Sequence, residues 1–322
     1  MVSLSSLNWA TRLTTNLMNE PLTGLVAAVF TPLKPNREID LGQIEKFTDY
    51  LADGPVTGIY ILGGTGEGVS FSNDERRAVA EAFVKASDGR LKTIVQVGHN
   101  SLPDARSLAE HADSLGVDAI SATPPSYFKP GDVDMLVNCL SEITAGAPKA
   151  PFYYYNIPAV SGVDLSMIEF LEEASSRLPT LAGIKYSKAD LAEFKSCLNY
   201  DNGRFDIPWG TDEMLLGGWA TGATSAVGTT YCYAAPLYQA IIDSVKTGDL
   251  AEAQRLQGLS VEMINITMKH GGRGGLKASM KLVGVDCGPQ RYPIRDMCED
   301  GLKAMREDFE GAGILSYLKP AG

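Results

Sequence analysis

Positive charge is scarce in this 322-residue chain: 28 lysines and arginines stand against 39 aspartates and glutamates, a formal net charge of −11. A protein that grips a phosphate backbone needs a basic face, so nucleic acid is excluded as an expected partner. A small anionic ligand is not excluded, because it senses local donors rather than total charge. Histidine is scarcer still. The chain has only His99, His111 and His270, and they do not show the His-Glu-x-x-His spacing of a zinc protease. The five cysteines, Cys139, Cys197, Cys232, Cys287 and Cys298, are odd in number and form no Cys-x-x-Cys pair. Neither a disulfide framework nor a metal site is expected from them. No apolar run approaches the ~20 residues that cross a bilayer, so no membrane partner is expected. The amino-terminal stretch "MVSLSSLNWATRLTTNLMNE" lacks the basic start and apolar stretch of an export signal, which makes the cytoplasm the expected compartment.

What is present is the composition of a protein with a sizeable core, 44% apolar and 21% charged. Short β-branched runs alternate with longer segments of helical period, the pattern of a parallel sheet with crossover helices. The expected strands span 24–30, 58–63, 92–98, 119–125, 151–157, 181–187, 205–211 and 222–229. Helices are expected at Leu41–Ala52, Asp74–Ser87 and Leu102–Ser114, and Ser72 with Glu75 forms a capping box before the second. Eight strand–helix repeats over about 220 residues predict a closed (β/α)8 TIM barrel. After Tyr231 the strand signal stops. Helical segments follow at 233–246, 249–269, 274–284 and 296–308, with "HGGRGG" (270–275) as a flexible break. The expected organisation is an amino-terminal extension over 1–21, a barrel over 22–232, and a helical region over 233–322 packed on the barrel.

Barrel active sites lie at the carboxyl ends of the strands, which narrows the search. Lys185, in the otherwise apolar "LAGIKYS", would project its amine into the barrel. Desolvation disfavours an ammonium, and a free amine attacks a carbonyl to form a Schiff base. A strand-end lysine that snorkels to solvent or pairs with a carboxylate is the alternative. Tyr155 ends "PFYYY", where alternation sends Tyr153 and Tyr155 to one face and Tyr154 to the other. Its phenol is either a proton relay beside that lysine or a core tyrosine with a satisfied hydroxyl. His99 follows the run "TIVQVG" and is either structural or near the site. The stretch "YILGGTGEGVSFSNDER" has neither the P-loop nor the dinucleotide spacing of glycines. Its "GGTGE" is either an anion-holding nest of backbone N–H groups, with Thr65 adding a hydroxyl, or a purely structural turn.

Together "GGTGEG", "YYYNIPAVSG", "GIKYS", "GTDE" and "AVGTTY", in that order, with "GPQRYPIR" in the tail, resemble the pyruvate-dependent class I aldolases of the dihydrodipicolinate synthase/N-acetylneuraminate lyase family. The resemblance runs from about Leu22 to at least Arg295. Within the family the chain is most similar to the branch that cleaves sialic acid to pyruvate and N-acetylmannosamine. The resemblance implies that Lys185 forms the imine and that Tyr155 moves the proton. It sets the substrate carboxylate at Gly64 and Thr65, Ser187 beside the lysine, and Gly210, Asp212, Glu213, Gly228 and Thr229 along the polyhydroxy tail. It also implies that Tyr127 is lent by a neighbouring subunit of a homotetramer, and that no metal or organic cofactor is needed. Two positions depart from the pattern. Gly64 stands where the family usually carries a serine or threonine, and Thr229 replaces a common serine. Val160 occupies the position at which dihydrodipicolinate synthase typically has an arginine for a second carboxylate. An apolar side chain cannot make that contact. An aldolase for another 2-keto-3-deoxy sugar acid, and a catalytically weakened protein that binds a keto acid, are the alternatives.

Overall fold

A computed structural model of the protein describes residues 20–320, so the expected extension over 1–21 falls almost wholly outside the described residues. Seven parallel strands, β1 (Gly24–Ala28), β2 (Val56–Ile61), β3 (Lys92–Gln96), β4 (Ala119–Ala122), β5 (Phe152–Asn156), β6 (Leu181–Tyr186) and β7 (Ser225–Gly228), run in the spatial order β6-β5-β4-β3-β2-β1-β7. The strand expected over 205–211 is present as an extended seam between β6 and β7 rather than as a regular strand. On one side Ile184 N donates to Asp206 O at 3.0 Å and Gly210 N to Tyr186 O at 2.7 Å; on the other Trp209 N donates to Ser225 O at 3.0 Å and Val227 N to Trp209 O at 2.8 Å. Pro208 has no N–H to give, so an unbroken ladder cannot form there. The seam nevertheless closes the barrel.

Alternation along each strand sorts the side chains into two layers. Val26, Ala28, Tyr60, Ile94, Tyr153, Tyr155 and Val227 pack together inside the barrel. Leu25, Ala27, Ile59, Ile61, Ile120 and Tyr154 face outward into the larger core under the helices. Tyr154 meets Phe170 there, ring centroids 4.8 Å apart. The surrounding helices are α1 (Gly42–Ala52), α2 (Asn73–Ser87), α3 (Leu102–Ser114), α4 (Val133–Thr144), the short α5 (Pro158–Ser161), α6 (Met167–Arg177), α7 (Leu191–Asn199) and α8 (Leu215–Thr221). The capping box before α2 is formed: Ser72 Oγ accepts from Glu75 N at 3.3 Å while Ser72 N donates to Glu75 Oε2 at 2.9 Å.

Three α-helices follow among the described residues, α9 (Tyr231–Thr247), α10 (Leu250–Ala278) and α11 (Glu299–Gly311). α9 spans the residue at which barrel and tail were expected to part. The break expected at "HGGRGG" is present as a kink inside α10, with glycines packed on either side of it. Gly272 sits at φ 53°, ψ −141°, and a Cβ on Gly274 would lie 2.1 Å from Arg295 O. Glycine content signals backbone freedom; here that freedom lets two segments of chain touch.

The tail is fastened to the "GGTGEG" loop by a buried ion pair. Lys277 Nζ lies 2.9 Å from Glu67 Oε1, with the two side chains 1% and 2% exposed. Lys277 also donates to Pro289 O at 2.7 Å, and Arg291 N donates to the other Glu67 oxygen at 2.6 Å. Removing one partner of such a pair strands the other charge without water. Lys277→Met is expected to lower the unfolding free energy by about 3–5 kcal/mol, read from the urea midpoint, and Glu67→Gln in the same chain should recover part of the loss. A single-variant loss under about 1 kcal/mol would show that Glu67 finds solvent and that the pair does not hold the tail.

Candidate active site

β5 and β6 pair so that Tyr155 stands opposite Lys185, both pointing into the barrel near the carboxyl ends of their strands. Lys185 is 4% exposed. Its Nζ lies 3.6 Å from the centroid of the Tyr155 ring and 4.2 Å from that of Tyr60. Among the described residues it forms no ion pair, in contrast to the equally buried Lys277. A lysine that snorkels to water or pairs with a carboxylate is therefore not what the sequence builds here. Tyr60 crosses Tyr155 edge to face, centroids 5.6 Å apart. The Tyr60 hydroxyl donates to Ser121 Oγ at 2.9 Å, and Ser121 donates on to Tyr153 O at 2.8 Å. Burial, then the neighbouring Tyr155, hold the Tyr60 phenol well above its ordinary pKa. Tyr60 is thus a fixed neutral wall, while Tyr155 opens onto a cavity.

The cavity, about 710 Å³, lies at the carboxyl ends of the strands. Its size is within the range of small-molecule sites. Of the residues singled out in the sequence, Gly64, Thr65, Tyr155, Ser187, Gly210, Asp212, Glu213 and Thr229 line it. Thr65 Oγ1 and Thr229 Oγ1 are 2.6 Å apart, joining the loop after β2 to the loop after β7. Backbone at Leu62 and Glu67 is left-handed, φ 61° and 56°, which curls the intervening loop. Gly64 departs from its neighbours in one respect. Among the described residues a Cβ there would meet only Arg273 Nη2, at 3.9 Å, so this glycine leaves open space rather than relieving a clash.

Gly210 and Gly228 do relieve clashes. A Cβ on Gly210 would lie 2.0 Å from Ser187 Oγ, and one on Gly228 would lie 2.2 Å from Asp212 Oδ1. Gly228 thereby lets the Asp212 carboxylate sit against β7, where Asp212 Oδ2 accepts from Thr230 N at 2.8 Å and Thr230 Oγ1 at 2.6 Å. Among the described residues Ser187 Oγ is buried without a hydrogen-bond partner, which leaves its capacity for a ligand.

Lys185 and Gly228 are not among the residues that line the cavity, and two further candidates stand apart from it. Tyr127 is 79% exposed and does not line the cavity of its own chain. It packs on Phe128, ring centroids 4.9 Å apart, and its N–H donates to Asn100 Oδ1 at 3.1 Å. His99 serves a helix start: its Nδ1 accepts from Ser101 N at 2.9 Å, 3.9 Å from Asp104. Sequence reasoning missed Tyr60, Gln96, Thr123 and Arg273. Gln96 lines the cavity with its amide oriented by the buried Arg76 at 2.9 Å and by Thr123 Oγ1 at 3.1 Å. Alternation through "GIYILG" marks Tyr60 as inward facing, and that signal was available.

A barrel with an unpaired buried amine at the carboxyl end of its sixth strand, beside a tyrosine and a cavity that carries several polar side chains, has the layout of a Schiff-base enzyme. The chain belongs to the dihydrodipicolinate synthetase family, whose model matches residues 21–311. It is 39% identical to N-acetylneuraminate lyase A of Xenopus laevis, over 85% of this chain and 90% of that protein. It is 37% identical to human N-acetylneuraminate lyase, over 92% of this chain and 94% of the relative. The solved Proteus mirabilis N-acetylneuraminate lyase superposes with a TM-score of 0.89 at 38% identity, covering 92% of this chain and all (100%) of the other.

Burial pushes the Asp212 carboxyl up to about 6, with Glu213 adding to the rise and Thr230 and Lys185 opposing it. In the unfolded chain the value is near 3.9. The folded state therefore binds the proton more tightly, and this residue's contribution to stability falls as pH rises from about 4 to about 6, then levels off. Asp212→Asn is expected to flatten that part of the profile, read as the difference in Tm between wild type and variant at pH 4 to 8. An unchanged difference across the range would show that Asp212 titrates normally.

Proposed function

We propose that the protein is a class I aldolase that cleaves N-acetylneuraminate reversibly to pyruvate and N-acetylmannosamine. The observation that carries this reading is Lys185 Nζ, buried against the Tyr155 face with no ion-pair partner among the described residues. The likeness to proteins named N-acetylneuraminate lyase, over nearly their whole length, supports the choice of substrate.

The Lys185 amine adds to the C2 carbonyl of the open-chain sugar acid and expels water as the imine forms. Tyr155 takes the proton from the C4 hydroxyl; the C3–C4 bond breaks, and its electron pair passes into the protonated imine as an enamine. N-acetylmannosamine leaves. The enamine is protonated at C3, and the water expelled earlier is recovered in hydrolysis, which frees pyruvate and the amine. Loop amides at Gly64 and Thr65 hold the substrate carboxylate. Ser187, Gly210, Asp212, Glu213, Gly228 and Thr229 serve the hydroxylated tail, where each unpaired buried hydroxyl would cost ~1–3 kcal/mol. Val160, 64% exposed at the cavity rim, offers no second carboxylate site. The exposed Tyr127 suits contact with a second copy, and we extend the reading to a cytoplasmic homotetramer. Barrel (22–232) and tail (233–322) act as one body in this reading, fastened through Glu67 and Lys277.

Borohydride with pyruvate is expected to fix a covalent adduct on Lys185 and on no other residue, and Lys185→Ala to abolish it. Tyr155→Phe should still be trapped while its turnover falls ~10²–10⁴-fold. Pyruvate release from N-acetylneuraminate, set against a panel of 2-keto-3-deoxy sugar acids, decides the substrate. Absence of any adduct would overturn the aldolase.

One observation favours a second reading, a weakened enzyme that binds a keto acid. Gly64 lacks a hydroxyl, and among the described residues just Arg273 Nη2, at 3.9 Å, borders the space its side chain would take. Gly64→Ser fits sterically and is expected to leave turnover unchanged or moderately raised. A gain of several orders of magnitude would favour the second reading.

A further inference from the structure

The cavity wall holds two carboxylates, Asp212 and Glu213, and one exposed cation, Arg273, from the kink of α10. Among the described residues the Arg273 side chain has no ion pair or hydrogen bond; only its carbonyl is engaged, accepting from Gln290 Nε2 at 3.1 Å. Arg291, from the same tail, is by contrast committed to Glu75. The backbone on either side of Arg273 is clamped. Gly272 occupies a region closed to other residues, at φ 53°, ψ −141°. Gly271 and Gly274 press on Met297 and on Arg295 O, where Cβ atoms would stand at 2.3 and 2.1 Å. A packed glycine kink therefore presents a long cationic side chain at the cavity mouth without spending it on a protein carboxylate.

Arg273 Nη2 lies 3.9 Å from the position a Gly64 Cβ would take. That separation is ordinary van der Waals contact, and Arg273, Gly64 and Thr65 line one cavity, so the guanidinium and the Thr65 loop share the same open space. A ketone seated for attack by Lys185 carries its acid group on the adjacent carbon, and a guanidinium fork matches a carboxylate with two parallel N–H donors.

We propose that Arg273 is a specificity-determining residue that grips the carboxylate of the 2-keto acid across the gap left by Gly64. The inference rests on the aldolase reading for the identity of the ligand. Thr65 and the loop amides hold the carboxylate from one side, and Arg273 closes on it from the other. In a protein of net charge −11, this arginine supplies the local field that an anionic substrate needs.

The test uses the full chain in a Lys185→Met background, in which no imine can form. Calorimetry with pyruvate is expected to give a Kd about 10-fold weaker when Arg273→Ala is added, with Arg273→Lys between the two. In the chain that keeps Lys185, Arg273→Ala should raise KM for pyruvate about 10-fold in the condensation direction. It should leave KM for N-acetylmannosamine unchanged and kcat within about threefold. Combining it with Gly64→Ser should recover part of the pyruvate affinity. Equal Kd values with and without Arg273 would overturn the inference, as would a change confined to KM for the aldehyde, which would assign Arg273 to the sugar tail. Failure of the wild type to trap pyruvate sinks the aldolase reading alone, because the calorimetric comparison does not depend on the imine.

Discussion

Taking an ammonium out of water costs several kcal/mol unless something replaces the lost solvent. This chain meets that cost in two different ways within one barrel. Lys277 is buried against Glu67, a carboxylate that satisfies it and fixes it in place. Lys185 is buried against the faces of Tyr155 and Tyr60. Aromatic faces attract a desolvated cation by up to about 2 kcal/mol, and they do so without occupying the nitrogen's bonding directions. A carboxylate at Lys185 would block the approach of a carbonyl to that nitrogen. The two lysines are equally hidden, yet only one is available for chemistry, and the difference lies in what each is packed against.

That arrangement depends on strand register. Tyr155 meets Lys185 because β5 and β6 pair residue for residue at their carboxyl ends, and a slip of either strand by one position would turn its own member of the pair out into the helical layer. Much of this was legible. Short β-branched runs marked the strands, alternation put Tyr153 and Tyr155 on one face, which the structure turns inward, and the Ser72 box marked the start of α2. The seam at 205–211 was harder, because Pro208 interrupts the ladder while leaving the chain extended. "HGGRGG" marked the break, which falls at Gly272, but composition reports only that a backbone can bend, not that Arg295 and Met297 are packed beside the bend. Tyr60 and Arg273 touch the site through contacts distant in sequence, and single-chain periodicity carries no record of which distant residues meet.

The tail is part of the site's construction as well as a cover on the barrel. Glu67 receives Lys277 on one oxygen and the Arg291 amide on the other. The loop that carries Gly64 and Thr65 is therefore held at its far end by residues more than two hundred positions away. Thr31 adds a third hold, donating to Gly66 O at 2.7 Å. A loop of four glycines has many conformations open to it when unfolded. Tethers from three directions remove that freedom, so the amides do not have to be ordered by the ligand, and binding energy is not diverted to that task.

Gly64 and the kink of α10 then become two sides of one question about charge. The wall contains Asp212 and Glu213, and Asp212 is held partly neutral near pH 6 by its burial. An acid entering this cavity meets more negative than positive groups unless a cation is supplied from outside the barrel. The strands cannot supply it, because a second inward cation near Lys185 would have to be desolvated in turn, with only the same aromatic faces to receive it. A residue on the tail can, since its guanidinium stays in water until the ligand arrives and its position is set by the glycines that flank it. Gly64 leaves open space beside the Arg273 guanidinium, so a position without a hydroxyl for the acid group is also one that the outer charge approaches.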